Sequence, residues 1–121
     1  MAADKSLVSG NTSMLILRLL EEKDMYGYEM IDTLREKSKN VFELKAGTLY
    51  PLLHSMEDKG FVDAYEKEAV GKIRKYYHLT KAGKKQLKQK EEEWKEFTRA
   101  VASVMGAAGR DIAGGECYGQ A

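Results

Sequence analysis

The sequence predicts a mainly helical α+β fold, with three short helices, a two-stranded hairpin and one long final helix in that order. Three observations carry this reading. As far as Met56, apolar residues recur at helical spacing; between Phe61 and Leu79 the period drops to two, and aromatic and β-branched residues take over. Beyond Thr80 the apolar residues thin to a seam spaced by seven.

The first helix is expected from about Asn11 to Lys23, with Asn11, Thr12 or Ser13 supplying a side-chain oxygen to its free N–H groups. Met14, Leu15, Ile16, Leu17, Leu19 and Leu20 make it apolar nearly all round, so it must be buried in the core or against a partner chain. Asp24 is placed to cap a second helix, roughly Met25 to Lys39, with Tyr28, Ile31 and Leu34 on one face. Gly27 in its first turn signals either close approach by a backbone or a phosphate, or a glycine tolerated near a helix start. A short extended piece, Val41 to Leu44, precedes the third helix. Pro51 places the start of that helix with Thr48 at or beside the cap, and Gly60 suits the left-handed turn at its end. Leu49, Leu52, Leu53 and Met56 form its buried side, leaving Thr48, Tyr50, His54 and Ser55 more exposed.

Residues 61–65 and 73–79 read as two strands joined by a charged linker containing Gly71. Alternation puts Ile73, Lys75, Tyr77 and Leu79 on one face, with Ile73, Tyr77 and Leu79 in the core, and Lys72, Arg74, Tyr76 and His78 on the other. Thr80 caps a long helix from Lys81 to about Met105. On it Leu87, Trp94 and Val101 are seven apart, as are Phe97 and Val104, a narrow seam of coiled-coil type. Packing within the chain explains such a seam, but its length favours a dimer interface. This order is that of a winged helix-turn-helix with a long C-terminal dimerisation helix. Residues 1–80 form the DNA-binding region, 81–105 the dimerisation helix of the same compact domain, and 106–121 a glycine-rich flexible tail.

Bulk properties narrow the function. The chain has 121 residues and a formal net charge of +1, so a polyanion partner does not follow from overall charge. Distribution says more. Between Lys72 and Lys90 there are eight basic residues and no acid, while Glu57, Asp58, Asp63, Glu66, Glu68 and Glu91 to Glu93 lie just outside. The stretch reads equally as a local footprint for phosphates or as a solvated helix face. The one cysteine, Cys117, cannot pair within the chain. The N-terminus lacks the form of a signal peptide and the apolar stretches are too short for a bilayer, so a cytoplasmic protein without membrane contact is expected. Enzyme chemistry has little support. His54, His78 and Cys117 are scattered without nucleophile–base or zinc-ligand spacing, and no phosphate-binding glycine loop occurs. No enzyme activity, cofactor or metal is expected.

The third helix, apolar behind and polar in front, meets the requirement for an element lying in a major groove, and Lys72, Arg74 and Lys75 supply a wing with charge for phosphates. The stretch Gly47-Thr48-Leu49-Tyr50-Pro51-Leu52-Leu53-His54-Ser55-Met56-Glu57-Asp58-Lys59-Gly60-Phe61-Val62 resembles the recognition-helix signature of the PadR family. Residues Arg74-Lys75-Tyr76-Tyr77-His78-Leu79-Thr80-Lys81-Ala82-Gly83 resemble that family's wing and last cap, and Tyr26-Gly27-Tyr28-Glu29 the start of its second helix. The resemblance spans about Met14 to Phe97; the tail after Met105 has no counterpart. It implies a homodimeric regulator, usually a repressor, whose long last helix pairs with the partner's first helix. Leu15, Leu19, Leu87, Trp94, Phe97, Val101 and Val104 are then the dimerisation residues. It further implies DNA contacts by residues matching Tyr28, Thr48, Tyr50, His54, Lys72, Lys75 and Tyr76, with double-stranded DNA carrying an inverted-repeat operator as partner.

In some members of a compact subgroup that this chain resembles, a tryptophan on the last helix lines a flat pocket at the dimer centre, and Trp94 matches its position. Trp94 is first of all a packing residue, yet two symmetry-related indoles also suit a planar aromatic small molecule as effector. The other reading of the whole chain is a winged-helix protein–protein interaction module without specific DNA binding. Near-neutral charge leaves it open, and salt-dependent DNA affinity separates the two.

Overall fold

The computed structural model describes residues 5–106, so the expected tail beyond Gly106, with Cys117, lies outside the described residues. The elements run α1 (Lys5–Glu22), β1 (Met25–Tyr26), α2 (Gly27–Lys37), α3 (Ala46–Asp58), β2 (Val62–Ala69), β3 (Lys72–Leu79) and α4 (Lys81–Val104). The strands form one antiparallel sheet in the order β1-β3-β2. The predicted class, mainly helical α+β of winged-helix type, is the observed one.

The chain divides into two compact units, the first through Leu87 and the second from Lys88. In the first, Ile16, Leu17 and Leu20 of α1 join Met30 and Leu34 of α2, the apolar row of α3, and Tyr77 and Leu79 of β3 in one core. Leu87 of α4 completes that core. Of the second unit, the described residues are the remainder of α4 and the turn after it. Among the described residues, no helix is long and apolar enough to cross a membrane.

Several expectations are corrected. α1 begins at Lys5, so Asn11, Thr12 and Ser13 lie within the helix, and Thr12 is buried rather than capping. Asp24 does not cap α2. Met25 and Tyr26 instead pair with Tyr77 and Tyr76 on the edge of β3, and α2 starts at Gly27 without a side-chain cap. A two-residue strand has no period to read, and its existence depends on a partner 50 residues away. In α2 the buried row is Gly27, Met30 and Leu34, and Tyr28 is 61% exposed. At about 100° per residue Tyr28 stands roughly 120° around the helix from Leu34, too far to share its face.

α3 starts at Ala46, with Lys45 rather than Thr48 at the cap. The Lys45 carbonyl accepts from the N–H groups of Thr48 (3.0 Å) and Leu49 (2.9 Å), and no side chain caps the helix, so the Thr48 hydroxyl does not serve as the expected cap. Pro51 therefore lies in the second turn and brings no N–H to the carbonyl of Gly47, an exposed residue. The end of α3 is as predicted. Gly60 is left-handed (φ 80°), its N–H bonds the Glu57 carbonyl at 3.0 Å, and the Phe61 N–H bonds that of Met56 at 2.9 Å.

The hairpin is longer than its apolar residues indicated. The charged linker belongs to the strand: Glu66, Lys67 and Glu68 pair with Lys75, Arg74 and Ile73, and only Val70 and Gly71 form the turn. Ile73 shares the face of Tyr77 but is exposed, because the hairpin overhangs the core at that end. Alternation assigns a face; it does not say how far the neighbouring elements cover it.

Candidate nucleic-acid interface

The side of α3 away from the core is built by helical spacing. Leu49, Leu53 and Met56 are buried, and Thr48, Pro51, His54 and Ser55 are exposed on the other side. Two hydroxyl groups and an imidazole thus stand on a short rigid helix anchored from behind, a set able to reach base edges or phosphate oxygens. Tyr50 flanks this stripe and is half-buried. Its ring lies against the first turn of α2, where a Cβ on Gly27 would strike the Tyr50 hydroxyl and stand 2.6 Å from Cζ. A close approach does occur at Gly27, but the Tyr50 side chain makes it rather than the backbone or phosphate that the sequence suggested. Burial there, and then the neighbourhood of Tyr28 and Tyr77, pushes the Tyr50 phenol above its ordinary pKa, so the hydroxyl remains a proton donor. Tyr28 and Tyr50 thus converge at the junction of α2 and α3.

Thr80 fastens α3 to the start of α4. Its hydroxyl donates to the Gly60 carbonyl (2.6 Å) and accepts from the Gly83 N–H (3.0 Å), while its own N–H donates to the Phe61 carbonyl (3.1 Å). Gly83 is required there, since a Cβ would meet the Phe61 carbonyl oxygen and stand 2.5 Å from Leu79 Cδ1. The cap predicted at Thr80 is therefore present, and it also holds the chain leaving the recognition helix.

The wing separates its cations by face. Lys75 shares the face of Tyr77, with its Nζ 5.6 Å from that ring's centroid and 4.0 Å from the Glu57 carboxylate on α3. Arg74 and Tyr76 lie on the opposite face, where the Arg74 guanidinium stands 4.4 Å over the Tyr26 ring. Tyr76 is half-buried between Tyr26 (5.5 Å, edge-on) and Tyr65 (5.7 Å, stacked). Lys72 is exposed beside the turn. The structure therefore brings Tyr50 against the first turn of α2 near Tyr28, leaves Thr48 and His54 on the exposed side of α3, and puts Arg74 and Tyr76 on the face of the sheet opposite Lys75.

One network on that face was not foreseen. Asp24 accepts from Tyr65 Oη (2.6 Å) and from His78 Nδ1 (2.8 Å), tying the α1–β1 connection to both wing strands. Burial pushes the Asp24 carboxyl up, but the two hydrogen bonds and the charges of His78 and Lys67 bring it net below its ordinary value. Tyr65 responds oppositely. Its hydrogen bond to Asp24, then burial and the carboxylate charge, push it up to about 12. The alternation of Arg74, Tyr76 and His78 along one strand was the available signal, but their partners come from strand pairing.

On α4, Trp94 and Phe97 stack at 5.9 Å with 30° between the planes and are 39% and 59% exposed. Val104 is exposed and Val101 half-buried. By contrast Leu87 and Leu19, both expected at a dimer interface, are buried in the core of the first unit, at 1% and 3% exposure. Each already packs within its own chain and has little surface left for another. Leu15 is half-buried.

A helix-turn-helix with a polar recognition helix and a two-stranded wing defines a DNA-binding regulator. The chain matches the transcriptional regulator PadR-like family over residues 16–89, and it belongs to that family. It is 37% identical over 100 residues to an uncharacterized protein of Lysinibacillus sphaericus, covering 82% of this chain and 92% of the relative. It is similar in structure to a transcriptional regulator from Clostridium thermocellum (TM-score 0.77, 34% identity, 82% of this chain and 97% of the other). It is also similar to a PadR family regulator from Eggerthella lenta (TM-score 0.74, 30% identity, 83% and 86%). The protein is accordingly a PadR-like DNA-binding transcriptional regulator.

Proposed function

We propose that the protein is a cytoplasmic homodimeric repressor that binds an inverted-repeat operator and is released by a planar aromatic effector held between two copies of Trp94. The observation that carries the DNA-binding half is the exposed stripe of Thr48, His54 and Ser55 on a helix anchored by Leu49, Leu53 and Met56. Each α3 reads one half-site, with centres about one helical turn (~34 Å) apart. Tyr28 and Tyr50 hold phosphates at the helix junction, and Lys72 and Lys75 hold them along the wing. Arg74 and Tyr76, on the face that alternation also gives Lys72 but further from the turn, act by stiffening the wing or by reaching a flanking phosphate.

The dimer half rests on apolar surface. Trp94, Phe97 and Val104 are large apolar residues exposed on a helix whose apolar spacing of seven suits a partner helix. Two stacked aromatic surfaces facing across a two-fold axis favour a flat, cationic guest.

The test is a fluorescence-anisotropy titration against duplex DNA from upstream of the protein's own gene, with random duplex as control, at two salt concentrations. The expected result is salt-sensitive binding that favours the upstream DNA and weakens on adding a planar aromatic cation that quenches Trp94. Salt-insensitive or absent binding by an intact dimer would replace this reading with a protein-interaction module.

A further inference from the structure

The wing is held differently along its length. At its root β3 lies between β2 and β1, and Tyr26, Tyr76 and Tyr65 stand in register across the three strands. Among the described residues, the four pairs from Glu66–Lys75 to Ala69–Lys72 have no third strand beside them. Glu66, Lys67, Glu68, Lys72 and Lys75 are exposed there. A two-stranded ribbon without a packed face twists easily and is marginal by itself. The direction in which Lys72 and Lys75 are carried is therefore set at the root.

One carboxylate spans that root. Asp24 lies in the connection between α1, whose Ile16 and Leu17 have no exposed surface, and β1. Its Oδ2 accepts from Tyr65 Oη on β2, and its Oδ1 stands 2.8 Å from His78 Nδ1 on β3. Both wing strands are thus fastened to a core helix through a single side chain. On the opposite face a second tether, Glu57 of α3, stands 4.0 Å from Lys75 Nζ. A phosphate binding Lys75 draws it away from Glu57, so the Asp24 bridge is the tether that persists on DNA.

We infer that Asp24 is a positioning residue for DNA binding: without touching the duplex, it aims the wing through Tyr65 and His78 so that Lys72 and Lys75 reach their phosphates together. This rests on the DNA-binding reading above and adds to it a residue that acts only through others. The sign of its effect is diagnostic. An acid that merely lay near the duplex would repel phosphates, and its removal would tighten binding. Removal of a positioning acid loosens binding instead.

The test compares Asp24→Ala with Asp24→Asn in the full chain, by anisotropy over a salt series with thermal melting alongside. Both remove the charge, but asparagine still bonds both partners, accepting from His78 and donating to the Tyr65 hydroxyl, so their difference isolates the bridge. In Asp24→Ala, affinity for the upstream duplex is expected to fall about tenfold and the salt slope to flatten by about two, one for each of Lys72 and Lys75. Asp24→Asn keeps both close to the unaltered values, and melting changes only slightly in either. Adding Lys75→Ala to Asp24→Ala costs little further affinity, although Lys75→Ala alone weakens binding. Unchanged or tighter binding by Asp24→Ala would overturn the inference. Equal losses in the two variants would overturn it as well, by making the charge rather than the bridge responsible. Should Asp24→Ala fold poorly, Tyr65→Phe decides: weaker binding at unchanged melting supports the assignment, and unchanged binding overturns it. Failure of the unaltered protein to bind DNA in a salt-dependent way would instead overturn the regulator reading itself, and the role of Asp24 with it.

Discussion

The apolar residues before Leu87 and those after it have opposite fates. Up to Leu87, most large apolar side chains of the helices face a common core, and Ile16, Leu17, Met30, Leu49 and Leu53 have no exposed surface. Beyond it, Trp94, Phe97 and Val104 are exposed on a regular helix. Both stretches have helical apolar spacing. The difference teaches that spacing reports which face of a helix wants cover, whereas the source of that cover is a separate question.

Substitutions on the two sides of Leu87 should therefore differ in kind. The largest effect is expected from Leu53→Ala, which removes a fully buried side chain and should destabilise by about 3 kcal/mol in chemical denaturation. Gly83→Ala should follow at roughly 2 kcal/mol, because its Cβ meets the backbone carbonyl of Phe61 rather than a side chain that can turn away. Phe97→Glu should leave the melting of the first unit close to its original value and weaken self-association by at least about tenfold, or roughly 1.4 kcal/mol, in sedimentation. Should Phe97→Glu unfold the protein as Leu53→Ala does, the proposed distinction fails and Phe97 belongs to a core.

The smallest effect concerns the wing network. Tyr65→Phe removes an exposed hydrogen bond to Asp24 and should change stability only slightly, because solvent screens the pair. Its pH dependence is the sharper readout. Tyr65 has a folded pKa raised from 10.0 to about 12, so its contribution is complete below pH 10 and lost as the pH rises through 12. Asp24 has a lowered folded pKa, so its contribution is present above the ordinary value of 3.8 and is lost as the pH falls through the lowered one. Both dependences should be reduced in Tyr65→Phe when unfolding is followed across pH, and a profile identical to the unaltered protein would mean that the network does not couple to folding.

The legible parts of the molecule are those whose cause is local. Gly60 ends α3 because a left-handed residue is needed there, and Thr80 caps α4 through a hydrogen bond three residues away; both were readable from short stretches. The exposed row of α3 was readable for the same reason, and Thr48, His54 and Ser55 stand where spacing put them. Tyr28 was grouped on one face with Ile31 and Leu34, whereas the buried row runs through Met30, and Ile73 was assigned to a core that ends short of it. Asp24 was read as a helix cap because a carboxylate before a helical run is the usual sign of one. Its actual partners, Tyr65 and His78, lie 41 and 54 residues away.

By itself the sequence determined the class of fold, the order of its elements, the rigid helix with a polar front, and the family motifs along it. Those follow from side-chain period, turn chemistry and capping, which act over a few residues. Tertiary structure alone decided that Met25 and Tyr26 would pair with β3, that Tyr50 would lie on Gly27, and that Arg74 would stand over the Tyr26 ring. It also decided that Leu19 and Leu87 would be covered within the chain while Trp94 and Phe97 remain exposed. Burial and strand pairing depend on what arrives from distant parts of the chain, and a local pattern carries the demand for a neighbour without naming it.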